Sequence, residues 1–207
     1  MHQHCSPVYV SVPVTDAAAA VNRFSRCVAD VSSWLSSSRL RLNPAKTVVI
    51  WLGGRQQVAN IAVSNIPVLS STVTTVASAR DLGVVVDSQL TMSANVSSTC
   101  QSAYHQLRQL RPVVRSLSVD AAKTAVQSFV STRLDYCNSL MNGIADGLMQ
   151  RLQAVQNVAA RLITGARRRD HISPVLRQLH WLPVRLRVQF KLAVLVFKAL
   201  HGQAHSA

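Results

Sequence analysis

The sequence predicts an α+β fold, mostly helical: one helix and a small antiparallel sheet over residues 1–90, then a helical bundle over residues 91–207. Three observations lead there. The apolar residues step by three and four early in the chain, alternate in short runs through its middle, and return to helical steps past residue 90 without leaving them again. With 207 residues, 48% of them hydrophobic, the chain has enough apolar material for one large domain or two small ones.

Over residues 16–38, Val21, Phe24, Val28, Val31 and Leu35 repeat at helical spacing, with Thr15 or Asp16 placed to cap the first turn. Asn43-Pro44 marks a turn. Residues 47–52 form a β-branched and aromatic run stopped by Gly53-Gly54, the pattern of a strand. Short strands are expected at 58–63, 66–69, 72–77 and 82–86, with Ser64-Asn65 as a turn. A helix over 92–110 should end near Pro112, because proline lacks a donor and clashes with the preceding turn.

Ser118 caps the next helix, whose apolar stripe is Ala122, Val126, Phe129, Val130, Leu134, Cys137 and Met141, ahead of Gly143. Leu148, Leu152, Val155, Ala159 and Leu162 line another, ended by Gly165. Ser173-Pro174 opens a short helix to about Leu179, and Pro183 begins the last, with Leu186, Phe190, Val194, Phe197 and Leu200 on one face. Each stripe is assigned to packing, since burying a Leu or Phe contributes roughly 1.5–3 kcal/mol.

Twenty-two Lys and Arg against eight acids leave a formal charge of +14, which favours polyanionic partners and nucleic acid first among them. Only Lys46, Lys123, Lys191 and Lys198 are lysines, and the guanidinium of the remaining arginines grips phosphate as a two-pronged fork. Arg-rich codon usage is the bland account of the same composition. Between residues 151 and 198, ten Arg and Lys stand against a single acid, Asp170. Arg167, Arg168 and Arg169 follow a helix-ending glycine, where cations complement unpaired carbonyls, yet three exceed what a cap requires. With Arg161, Arg177, Arg185 and Arg187 on neighbouring helices they are the expected nucleic-acid-binding residues.

Cys5, Cys27, Cys100 and Cys137 lack the spacing of a zinc site or a disulfide framework and are expected to be buried thiols. No metal site is expected. Residues 1–9 have no apolar core of a secretory signal, and cations interrupt the apolar stretch at 184–200. These point to a soluble intracellular chain, cytoplasmic or nuclear, with no membrane partner. His171, His180 and Trp181 have no nucleophile beside them in sequence and are assigned structural roles.

Several peptides, taken in order, resemble those of LINE-type (non-LTR retrotransposon) reverse transcriptases in the portion that follows the catalytic Tyr-Ala-Asp-Asp. They run from Val10 to Val14 and Asp30-Val31-Ser32-Ser33-Trp34-Leu35 to Leu40-Arg41-Leu42-Asn43-Pro44-Ala45-Lys46-Thr47 and Ala79-Arg80-Asp81-Leu82-Gly83-Val84. Farther on come Arg133-Leu134-Asp135-Tyr136-Cys137-Asn138-Ser139 and Leu152-Gln153-x-Val155-Gln156-Asn157-x-Ala159-Ala160-Arg161-Leu162. Asp170-His171-Ile172-x-Pro174-Val175-Leu176 and Leu179-His180-Trp181-Leu182-Pro183-Val184 complete the series.

The resemblance implies a palm remnant over residues 1–90 and a thumb with C-terminal helices over residues 91–207. It implies RNA or an RNA–DNA duplex as partner, together with the N-terminal part of the polymerase. Template-directed nucleotide addition needs aspartates clustered around two metal ions, and Mg2+ is expected only for the intact family enzyme. The family's aspartate pair should precede Val8-Tyr9-Val10, where this chain has His2-Gln3-His4-Cys5-Ser6-Pro7. No catalytic residue and no polymerase activity are therefore expected.

Lys46 matches a lysine near the incoming nucleotide's phosphates in the family, and is otherwise a solvated turn lysine. Leu82, Gly83 and Val84 match the element supporting the primer end, and the glycine serves a hairpin equally well. Two other readings stay open: a pseudogene fragment without function, and a helical protein-interaction module with its contact face in 92–141.

Overall fold

The computed structural model describes residues 8–203, which divide into two compact units between Ala94 and Asn95. It is mostly helical, with two small antiparallel sheets.

In the first unit, helix α1 spans Ala17–Ser37. The expected side-chain cap is not made at Asp16; a 3-10 turn over Val14–Asp16 closes the entry through backbone bonds instead. Val21 is buried, Phe24 and Val28 pack beside it, and Val31 and Trp34 are exposed. Asn43 then accepts a bond from the Ala45 amide at 3.0 Å and opens the turn Pro44–Lys46.

Residues 47–52 form no ladder, correcting the expected strand. They are held by scattered bonds: the Val76 amide to the Val49 carbonyl, and the Trp51 indole N–H to the Val63 carbonyl at 2.9 Å. The strand expected at 58–63 is also absent. Helix α2, Arg55–Ala59, takes its first residues because Arg and Gln favour helix and the Gln57 side chain accepts from the Gly54 amide at its start.

Strands β1 (Asn65–Val68) and β2 (Ser71–Thr74) pair antiparallel, as do β3 (Ser78–Asp81) and β4 (Val84–Asp87). Asn65, expected in a turn, begins β1, and the 72–77 strand stops at Thr74. β3 has no apolar alternation in sequence; pairing with the valines of β4 supplies its order. The core gathers Val21, Ile66 and Val68 with Phe24, Val28, Leu42, Val49, Trp51, Val63 and Val73. Ile66 and Val68 face inward across Pro67, whose carbonyl accepts the Ser25 hydroxyl at 2.8 Å.

Helix α3, Ser93–Val114, opens just ahead of the second unit. It does not end before Pro112. The proline only forgoes one bond, and the chain turns afterwards through the Ser116 and Leu117 amides on the Val113 and Val114 carbonyls. Ser118 caps α4 (Val119–Val126) by accepting from Ala121 at 3.3 Å. The helix continues through a π turn, Gln127–Ser131, into α5 (Thr132–Asp135). Of the expected stripe, Ala122, Val126, Val130, Leu134 and Met141 are buried; Phe129 is exposed.

Helix α6, Asp146–Thr164, ends at Gly165 in the left-handed region, φ 71°. It is the centre of the unit, and α4, α7 (Ile172–Gln178) and α8 (Val184–Leu200) all pack on it. The N-cap of α7 is His171, not Ser173, which places Pro174 inside the first turn where its missing N–H leaves nothing unpaired. α7 ends in a Schellman motif: His180, φ 55°, and Trp181 donate to the Arg177 and Leu176 carbonyls at 3.0 and 2.8 Å.

The glutamines of α6 stitch it to the start of α8. Gln156, almost fully buried, donates to the Leu182 carbonyl at 2.8 Å, and Gln153 accepts from the Val184 amide at 2.8 Å. The expected packing face of α8 is the wrong one: Val184 and Val188 are buried, whereas Leu186, Phe190 (64% exposed), Phe197 and Leu200 (79%) face solvent. Among the described residues, no helix is long and apolar enough to cross a membrane.

Candidate nucleic-acid interface

A groove of about 1260 Å³ runs between the C-terminal halves of α3 and α6. Gln101, Tyr104, Arg108, Arg111 and Arg115 line one wall. The three- and four-residue spacing of the first four puts them on one face of α3, beside buried Leu107 and Val114, with Arg115 just past its end. Val158, Arg161, Leu162 and Gly165 form the other wall. Four arginines therefore meet around an apolar floor, and no lining residue carries a carboxylate.

Arg111 and Arg161 stand in the last turns of their helices, where a cation complements the carbonyl end. Arg108 lies a turn too early for that purpose and Arg115 lies past the helix. Among the described residues neither they nor Arg111 have an ion-pair partner.

Arg161 also shapes the loop beyond Gly165. Its Nε and Nη2 donate to the carbonyls of Arg167 and Asp170, each at 3.3 Å. The Asp170 carboxylate accepts from the Arg167 amide at 2.6 Å, so the one acid of this stretch is spent on the backbone. Arg167, Arg168 and Arg169 remain exposed on a loop braced from the groove itself.

The other expected arginines are not brought to this place. Arg177 is exposed in the last turn of α7. Arg185 pairs with Asp146 at the opposite end of α6, fifteen residues or roughly 22 Å along the axis from Arg161. Arg187 pairs with Asp135 at 2.9 Å. Burial pushes the Asp135 carboxyl above the ordinary carboxylate range, outweighing the pull of Arg187, the Asn138 hydrogen bond and Lys191. Arg187 Nη1 and Asn138 Oδ1 lie buried beside that pair with no protein partner. Both ion pairs tie α8 to neighbouring elements, the Arg185–Asp146 pair in the more exposed setting.

In the first unit, Lys46 is exposed at the end of its 3-10 turn. Leu82 and Gly83 form the two-residue turn between β3 and β4, both at positive φ (44° and 85°), while Val84 is buried in β4. The glycine meets a conformational demand there.

The cysteines are not uniformly buried as expected. Cys27 is exposed because it falls on the outer side of α1, Cys137 is half-buried, and Cys100 is buried, which pushes its thiol upward. Cys5 and the stretch His2 to Pro7 lie outside the described residues.

The charge density of residues 151–198 gives no sign of Tyr104, Arg108, Arg111 and Arg115. Their helical spacing is the signal that finds them. Among the described residues no three His, Cys, Asp or Glu side chains are grouped to hold a metal ion. A scan against protein-family models, a search of curated proteins and a search of solved structures each returned no match.

Proposed function

We propose that this chain is the portion of a LINE-type reverse transcriptase that follows the catalytic aspartate pair, without polymerase activity of its own, and that its second unit binds nucleic-acid backbone. The order of the family-like peptides supports the lineage. The groove of Arg108, Arg111, Arg115 and Arg161, free of carboxylates and continued by Arg167, Arg168 and Arg169, carries the binding reading.

Guanidinium groups that neutralise phosphates release counterions, so affinity for RNA or an RNA–DNA duplex falls steeply with salt. With about four to six phosphates contacted, the logarithmic slope is roughly −3 to −5, and alanine at Arg108 and Arg111 flattens it by about one to two. Undetectable or salt-insensitive binding at low ionic strength overturns the proposal. The outward apolar face of α8 favours a second reading, a helical protein-interaction module; capture of a protein partner that survives nuclease treatment and is lost on Phe190→Ser supports it.

A further inference from the structure

We infer that the α3–α6 groove is built for unpaired nucleotides, holding base faces as well as phosphates; this rests on the backbone-binding reading above. A surface meant only for a duplex needs cations, since a duplex hides the faces of its bases and presents phosphate outward. This groove has more than cations. Tyr104, 37% exposed, stands one turn before Arg108 on the same wall. Val158 and Leu162 offer partly exposed apolar surface opposite it.

An aromatic ring and an aliphatic wall set beside guanidinium groups match a single strand, whose bases each present a π face while its backbone follows the charge. Against a duplex the ring and the apolar wall would remain wet. Gln101 and Arg111 lie ten positions apart on α3, roughly 15 Å along its axis, and the wall continues past the helix to Arg115. That length and an open groove of about 1260 Å³ suit several nucleotides rather than one small ligand. The proposed division of labour is that Tyr104 stacks a base while Arg108, Arg111 and Arg115 follow the phosphates.

The test is fluorescence anisotropy on the full chain at low salt, with three probes of about 12 nucleotides per strand: oligo-deoxythymidine, its duplex with oligo-deoxyadenosine, and an abasic deoxyribose-phosphate strand. The single strand is expected to bind about tenfold more tightly than either of the others. Tyr104→Ala should remove about tenfold from single-strand affinity and less than twofold from the other two, and Tyr104→Phe should restore it. An unchanged circular-dichroism spectrum establishes that the variants fold. Equal affinity for all three probes, or an equal loss on all three in Tyr104→Ala, overturns this inference and leaves the backbone reading standing. No binding to any probe overturns both.

Discussion

Helices α6 and α8 carry apolar residues at the same spacing, yet they use it in opposite ways. α6 turns Met149, Leu152, Val155, Ala159 and Ile163 inward and keeps Arg151 and Val158 outside. α8 is apolar on nearly every side, and the face with its largest side chains looks outward. The period of a helix says that one stripe exists; when two stripes are available, its neighbours decide which is buried. For α8 those neighbours are polar. Gln153 fixes the Val184 amide, Asp135 holds Arg187, and Asp146 holds Arg185. These contacts set the rotation of the helix and bring Val184 and Val188, smaller than the phenylalanines, to the core.

This contrast can be broken most directly by truncating one side chain on each helix. Leu152→Ala should destabilise the chain by about 2–5 kcal/mol in urea unfolding, the cost of a core cavity. Phe190→Ala should change it by no more than about 0.5 kcal/mol although more atoms are removed. Equal losses would show the outer face of α8 to be packed. A smaller effect belongs to the polar joint: Gln156→Ala removes the buried amide that the Leu182 carbonyl and the Gln153 side chain bond to, and should cost about 1–3 kcal/mol.

The smallest effect is a pH dependence. Burial holds the Asp135 carboxyl above its ordinary range, so the folded chain takes up this proton at a higher pH than the unfolded chain. Its contribution to stability is therefore full below the unfolded value near 3.9 and is lost as pH rises through the folded value. Measured against Asp135→Asn, the wild type should gain stability as pH falls from about 7 to about 4. The reverse trend would mean that the attraction of Arg187 outweighs the cost of burial.

Local rules recovered what local forces decide. Gly165 terminates α6, Ser118 caps α4, and the stripe through Leu152 and Val155 is core. They failed where the deciding partner is distant in sequence. Nothing in Ser78-Ala79-Arg80-Asp81 announces a strand until β4 lies beside it, and the valine-rich run at 47–52 finds no ladder. The site divides the same way. Arg167, Arg168 and Arg169 are conspicuous as neighbours in the chain, but their loop is shaped by Arg161 from a preceding helix. The stripe of Arg108, Arg111 and Arg115 needed α6 opposite it before it became a groove.

The π turn at Gln127–Ser131 has its own consequence for the α4–α5 segment. Its buried apolar residues Ala122, Val126, Val130 and Leu134 are four apart, and in an uninterrupted α-helix each such step overshoots a full revolution by about 40°. Three steps would swing Leu134 about 120° away from Ala122; one surplus residue, wound into the wider turn, absorbs roughly 100° of that. The bulge thus works as a vernier. Deleting any single residue within it would let the helix rewind and carry Leu134 out to water and Asp135 away from Arg187, so the segment tolerates substitution there far better than a change of length.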